Sequence, residues 1–411
     1  MARDLIQVLA QRPACTGSGM YLQSLYRAAR KKDINQKVVA AAVAENKYKD
    51  LGYINKADFT PVIFRSSQMP GEIFGMSDVM PYASRKYEDM DDKTKKIFGQ
   101  AFTQKITAAI EKSVNPVIIA HHLWILTAIT AEKFTDVPVV GICHGTGLRQ
   151  LKKNKRFSNQ VKKGISQLEK IFALNPGQKE EISTLYDYPA DQIVVTGLGY
   201  NEKNFSFPTE KDIEIRQAKD VPEIIYVGKL SFSKGVISLL RAGRKINGDF
   251  KLTLVGSGQG VEAEKIKRLA AEVTYPVNFR GLLSQEEVGT ALRRADIFCL
   301  PSFYEGFALV LLEALASGLR VVTSKLPGVA PWLPQEVKKS SAFKMVRLPE
   351  LKNIDEPVKE TLPAYEKRLA VALESQLGQR DSYDYLEEEN YRQAIKGLAW
   401  PAVFEKILAH I

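Results

Sequence analysis

Cysteine is scarce in this sequence, with three in 411 residues. Cys15, Cys143 and Cys299 are far apart and odd in number. That excludes a disulfide framework or a clustered metal site and makes a reducing cytoplasm the expected compartment. Long apolar runs are also missing: none reaches the roughly 18 residues a membrane-spanning helix needs. The opening run Leu5-Ile6-Gln7-Val8-Leu9-Ala10 is too short for a secretory core and reads as a first strand. Zinc-finger spacing and an aromatic-rich ribonucleoprotein motif are both lacking, so no nucleic-acid partner is expected. Acidic residues are outnumbered, 47 against 58 basic, for a net charge of +11. The excess favours something anionic, such as a nucleotide diphosphate or an anionic lipid surface.

What is present is a rhythm of short apolar runs and longer helical patterns. In the first half the strand candidates are Leu5–Ala10, Val38–Ala44, Pro61–Phe64, Val117–His121, Val137–Cys143, Ile171–Leu174 and Ile193–Thr196. Helical patterns such as Lys93–Ser113 and Gln178–Tyr186 separate them. In the second half the candidates are Glu223–Val227, Lys251–Val255, Val277–Phe279, Ile297–Leu300 and Arg320–Thr323. Mostly apolar strands alternating with helices predict βαβ units and parallel sheets covered on both faces. The polar stretch Gly199–Val221 reads as a linker, after which the pattern restarts. The fold class is therefore α/β, with two doubly wound, Rossmann-like domains over 1–205 and 206–387. A C-terminal helix at about 388–411 is free to return to the first. In such sheets ligands bind beyond the carboxyl ends of the strands, so a cleft between the domains is the expected site. Residues 66–92 break the rhythm and read as a long loop, functional or mobile.

The most informative segment is Glu305-Gly306-Phe307-Ala308-Leu309-Val310-Leu311-Leu312-Glu313-Ala314, after the strand Ile297–Leu300. Its apolar run predicts a helix ending at Gly318. Glu305 falls at the helix mouth and Glu313 about two turns further, roughly 12 Å along the axis. Two carboxylates so spaced can grip two polyol units of one ligand, such as a ribose and a hexose joined by a diphosphate. The amides of Phe307, Ala308 and Leu309 then face the diphosphate, with the helix dipole behind them. The bland alternative makes Glu305 a helix-end charge and Glu313 a solvated residue. Glu313 lies within Leu-Leu-Glu-Ala-Leu-Ala, however, and a buried carboxylate needs partners.

Lys229 and Lys234 flank a second strand–loop–helix turn, Gly228 to Gly235, where they can meet a diphosphate as point charges. Val255-Gly256-Ser257-Gly258-Gln259-Gly260 is a glycine-rich turn at another strand end. It reads slightly better as a plain tight turn than as a backbone approach to a ligand. Thr16-Gly17-Ser18-Gly19 follows the first strand and opens a helix, but Leu22 stands where a dinucleotide fingerprint needs its third glycine. Of the four histidines, His121 and His122 end one strand and His144 another. Adjacent residues of an extended strand point opposite ways, so zinc is not expected and one of the pair is structural. His144, followed by glycine, is the candidate hydroxyl partner. A basic run from Arg149 through Arg156 follows it, either a solvated face or a surface for an anionic acceptor or lipid. Asp89-Met90-Asp91 precedes a helix and reads as helix-dipole acids, not as a metal site.

With these residues in view, the sequence resembles the retaining GT-B glycosyltransferases of family 4 over nearly its whole length. The likeness is strongest over 223–329, through Gly228-Lys229, Lys234-Gly235, Leu254-Val255-Gly256-Ser257-Gly258, Phe279-Arg280-Gly281, Ala295-Asp296-Ile297 and the Glu305-x7-Glu313 spacing. It is looser through Thr16-Gly17-Ser18-Gly19 and His144-Gly145. The resemblance implies transfer of a hexose from a UDP- or GDP-sugar to an acceptor hydroxyl, with retention, in envelope, polysaccharide or glycoconjugate synthesis. It gives Glu313 to the nucleotide ribose and Glu305 to the donor sugar. Lys229 and Lys234 go to the diphosphate, where the family usually has Arg in place of Lys229. Arg280 to Leu282 holds the base by backbone groups, Gly17 and Gly19 lie near the diphosphate, Gly256 is among the donor-binding residues, and His144 lies near the sugar. Catalytic roles fall to Glu305, His144 and Lys234, with His122 and Arg149 on the acceptor side. No metal or other cofactor is implied. The acceptor is expected to be anionic or lipid-linked, and a peripheral place on the inner membrane surface stays open. Two other readings stand beside this one: a sugar-nucleotide 2-epimerase of the same architecture, and a non-catalytic sugar-nucleotide-binding protein.

Overall fold

The computed structural model describes the chain except Met1, Ala2, Cys15, Lys47, Asp50, Gly306 and Phe307, together with the side chain of Asn46. Two compact units emerge. Residues 1–198 and 400–411 form one, and residues 199–399 form the other.

The first unit is built on seven parallel strands: β1 (Leu5–Leu9), β2 (Gln36–Val43), β3 (Phe59–Phe64), β6 (Val117–His121), β7 (Val139–Ile142), β8 (Lys170–Ala173) and β9 (Ile193–Val195). Their spatial order is β3-β2-β1-β6-β7-β8-β9. β4 (Ile73–Gly75) and β5 (Ser84–Lys86) pair separately, also in parallel. The second unit holds β10 (Glu223–Val227), β11 (Lys251–Val255), β12 (Val277–Gly281), β13 (Ile297–Leu300), β14 (Arg320–Ser324) and β15 (Phe343–Val346). Their order is β12-β11-β10-β13-β14-β15, again all parallel. Both sheets are wound outward from a central pair, so the direction of winding reverses between β1 and β6 and between β10 and β13. Loops leaving the carboxyl ends of those pairs diverge and leave a crevice. The doubly wound α/β class expected from the strand rhythm is what forms.

Two expectations are corrected. The stretch 66–92 is not a bare loop. Met69, Ile73, Phe74, Met76, Tyr87 and Met90 are all buried in the core of the first unit. Phe74 stacks on Tyr87, which meets Trp124 edge-on. Their irregular spacing has neither a helical nor a strand period, so burial left no pattern to read. The stretch 199–221 is likewise not a simple linker. It buries Phe205 and contains the helix Glu210–Gln217, started by a capping box between Thr209 and Asp212. The Arg216 guanidinium, 1% exposed, donates to the carbonyls of Arg293 (2.6 Å), Gly318 (2.8 Å) and Ser317 (3.0 Å). Cationic side chains satisfy the free carbonyls at helix ends. One buried arginine among surface charges gives no amphipathic signature. No helix among the described residues is long and apolar enough to cross a membrane.

Candidate functional site

In the second unit the loops after β10 and β13 form one wall system. The Phe303 amide donates to the Ser233 carbonyl (2.9 Å), joining the two. The Leu230 amide donates to Ser257 (2.9 Å), drawing in the loop after β11. This closeness demands glycine at two points. Gly256 has φ +127°, and a Cβ there would lie 1.9 Å from the Gly228 carbonyl oxygen. Gly235 has φ +68°, and its Cβ would lie 2.0 Å from the Pro301 oxygen. Side chains cannot enter such contacts.

The loops enclose two adjoining cavities that share Val227, Gly228, Leu283 and Val288. One, of about 300 Å³, is lined by Lys234, Glu305 and Glu313, with Tyr226, Val310 and Phe205. The other, of about 560 Å³, is lined by Lys229, the Gly256–Gln259 turn, Glu262 and Leu282. Lys234 Nζ lies 2.7 Å from Glu305 Oε2, and Ser302 Oγ donates to Glu305 Oε1 at 2.7 Å. Glu313 meets no hydrogen-bond donor among the described residues, and burial alone pushes its pKa up to about 7. Lys229 is exposed at the other cavity. The site is thus one charge pair, one unpartnered acid and one exposed lysine.

The helix begins only at Leu309, with Ala308 at its N-cap position. Glu305 is therefore not on its axis, and the 12 Å rise expected between the two glutamates does not apply; they line one small cavity instead. Ala308 is buried. Gly306 and Phe307, expected beside it, lie outside the described residues. Arg280 is exposed at the end of β12, and Leu282, 78% exposed, borders the larger cavity.

The first unit carries a different constellation at its own crevice. The helix Gly17–Arg30 starts under a Thr16 cap that accepts from the Gly19 amide (3.1 Å). The three histidines converge, contrary to the expectation that His121 and His122 point apart. The reason is backbone: His122 has φ +70°, which ends the extended strand and turns its ring back. His144 lies 5.2 Å from His121 and 4.8 Å from His122 between ring centroids. His121 Nδ1 is 3.0 Å from His144 Nε2, and His121 Nε2 is 3.2 Å from Gln7 Oε1. His122 is 4% exposed, with one nitrogen bonded to Gln11 Oε1 (3.1 Å) and the other to Thr146 Oγ (3.0 Å). Burial pushes His121 and His122 down to about 3, and His144 well below the usual histidine value. All three are neutral bases at physiological pH.

Sequence reasoning missed Gln7, Gln11 and Ser302. Gln7 had a signal: it is the one polar side chain in Leu5-Ile6-Gln7-Val8-Leu9, and a buried amide requires partners. Arg149 is exposed and bonded to Asp78, which also takes Lys153 (2.8 Å). Lys152 pairs with Glu181 (2.6 Å) and Arg156 with Asp92 (2.8 Å). Much of the basic run is thus paired within its own unit. Asp91 caps the helix Asp92–Ile110 by accepting from the Thr94 amide (2.7 Å). Among the described residues, no three His, Cys, Asp or Glu side chains gather as metal ligands.

The chain is similar to several known proteins. The chain is 30% identical over 175 residues to an uncharacterised glycosyltransferase of Methanocaldococcus jannaschii, covering 41% of this chain and 45% of that one. It is 30% identical over 230 residues to a glycogen synthase of Mycobacterium tuberculosis, covering 53% and 54%. The chain therefore spans about half the length of the curated relatives it matches. Among solved structures, sucrose-phosphate synthase from Thermosynechococcus elongatus superposes with a TM-score of 0.66 at 18% identity, covering 99% of this chain and 98% of that one. An Anabaena protein solved in complex with UDP gives a TM-score of 0.66 at 14% identity over the same shares, 99% and 98%. Such likeness establishes the fold, which is GT-B. Residues 208–338, the stretch that holds Lys229, Lys234, Glu305 and Glu313, match the family Glycosyl transferases group 1.

Proposed function

We propose that the chain is a glycosyltransferase that moves a hexose from a nucleoside diphosphate sugar, UDP or GDP, to an acceptor hydroxyl. The observation that carries this reading is the small cavity beside Gly228, where an unpartnered acid, Glu313, adjoins the Lys234–Glu305 pair. A group whose burial is opposed by desolvation, and which meets no donor among the described residues, is suited to a ligand. In this reading Glu313 bonds the ribose hydroxyls. Lys234 leaves Glu305 for the diphosphate and frees Glu305 for the sugar. Lys229 meets the diphosphate from the larger cavity, whose Gly256 turn admits phosphate oxygens and whose Leu282 rim covers the base. The free amides at the start of the helix Leu309–Ala316 add their dipole. In this reading charge developing on the departing diphosphate is stabilised by these cations and amides, so no metal is required. The family resemblance adds retention of configuration and, for the first unit, implies anion binding at Gly17 and Gly19 and a hydroxyl partner in His144. The acceptor is taken to be anionic or lipid-linked, given the net charge of +11, in polysaccharide or glycoconjugate synthesis.

The deciding experiment is thermal denaturation with UDP-, GDP- and ADP-glucose. Ligand at about a hundred times its dissociation constant stabilises by about 2.7 kcal/mol. One nucleotide series is expected to raise the midpoint by several degrees. No shift with any of the three at millimolar concentration would overturn the proposal.

A further inference from the structure

Four polar side chains of the first unit, three of them buried, form a chain with one direction. Gln36, 4% exposed, donates from Nε2 to the Tyr26 carbonyl (2.8 Å). A carbonyl can only accept, so the Gln36 amide cannot be turned round. Its Oε1 must then accept, and it receives Gln7 Nε2 at 3.1 Å. Gln7, fully buried, therefore presents Oε1 to His121 Nε2 at 3.2 Å. That nitrogen must carry a proton. Neutral His121 then has a bare Nδ1, which lies 3.0 Å from His144 Nε2. His144 must donate there, and its own Nδ1 is left bare. Reversing any link would put two acceptors or two donors face to face, at the cost of an unsatisfied buried group. A flanking network holds the neighbouring ring in the same manner. Gln11 Oε1 accepts from Ser18 Oγ (2.9 Å) and faces His122 Nε2 (3.1 Å). His144 Nδ1 has no partner among the described residues, and His144 is the partly exposed member of the trio.

We infer that Gln7 and His121 are positioning residues that lock His144 in the Nε2–H tautomer, so that its Nδ1 serves as a hydrogen-bond acceptor for a ligand hydroxyl. The ligand half of this inference rests on the donor reading proposed above; the tautomer half does not. His144 in this state orients a hydroxyl and does not supply a proton to it. A single amide, two hydrogen bonds from the ring it controls, sets which role is available.

The test is long-range ¹H–¹⁵N correlation of the imidazoles in the intact, ligand-free chain near neutral pH. His121 and His144 are both expected as Nε2–H tautomers, and a protonated Nδ1 on His144 would overturn the inference without any variant. In Gln7→Leu the constraint is gone, and His144 is expected to become a tautomer mixture; a spectrum unchanged from the parent would overturn it too. Gln36→Leu, which spares Gln7, is expected to give the same mixing more weakly, so the effect survives if the first variant folds poorly. Gln7→Leu should also lower turnover about tenfold with UDP affinity unchanged. Unchanged turnover alongside a shifted tautomer would sink the ligand-facing role. Failure of the parent chain to bind UDP would count against the donor reading alone.

Discussion

The crevices of the two units sit at equivalent places in two similarly wound sheets, yet they are built on opposite principles. That of the first unit is neutral and closed. Among the described residues, its glutamines and histidines bond one another, Ser18, Thr146 and the Tyr26 carbonyl, and His144 Nδ1 is left open. That of the second is charged: among the described residues it holds an exposed Lys229, a Glu313 without a donor, and the Lys234–Glu305 pair. A satisfied polar network rigidifies and orients, whereas an unsatisfied charged one has free energy to gain from a ligand. Parallel sheets of one topology supply the crevice, and side chains alone decide whether it holds a shape or awaits a charge.

The contrast can be broken most directly at Lys234. Lys234→Ala is expected to lower turnover by about 10² to 10³-fold, the scale of removing one preorganised electrostatic contact. Steady-state kinetics check it, and a loss below threefold would mean that the charge pair is only structural. Next in size, Glu313→Ala should weaken UDP binding about tenfold, the scale of one charged hydrogen bond. Calorimetry showing equal affinity would remove the ribose role. A comparable substitution in the first unit, Gln7→Leu, should leave that affinity alone.

Acid sharpens the comparison because the two sites carry opposite signs. His121 and His122 have folded pKa values near 3 against 6.5 unfolded. The unfolded chain binds more protons in that window, so the stability they allow is present above pH 6.5 and is lost as pH falls toward 3. Glu313 is raised from 4.5 to about 7. Its contribution is present below pH 4.5 and is lost as pH rises through 7. Hydrogen exchange corrected for intrinsic rates and read separately in the two sheets should show these terms with opposite slopes between pH 5 and 6.5. Parallel slopes would contradict the assignment. The smallest expected effect is none at all: a chelator should leave turnover intact, and its abolition by EDTA would bring Asp89 and Asp91 back as metal ligands.

Legibility followed the same division. The charged site was readable because its residues are chemically unusual where they stand, Glu313 within an apolar helix and paired lysines at a strand end. The strands were readable because buried parallel strands are continuous apolar runs, and those at Glu223–Val227, Lys251–Val255 and Ile297–Leu300 form where the pattern puts them. The neutral site was half legible. His144 stood out by rarity, but its control by Gln7 and Gln36, 29 residues apart on adjacent strands, required knowing which strands pair. The convergence of His121 and His122 depends on one left-handed residue, and strand alternation alone predicted the opposite. The helix Glu210–Gln217 and the buried side chains of 66–92 were missed because single anchors and irregular spacing have no period.

By itself, the sequence determined the α/β rhythm, the scarcity of cysteine, and the spacing of Glu305 and Glu313. Those properties are local: they follow from residue type and from the periods of the helix and the strand. Tertiary structure decided that Lys234 pairs with Glu305, that Glu313 meets no donor among the described residues, and that a run of hydrogen bonds from the Tyr26 carbonyl fixes the proton on His144. Hydrogen-bond direction and desolvation depend on neighbours distant in sequence, and only the folded chain brings those neighbours together.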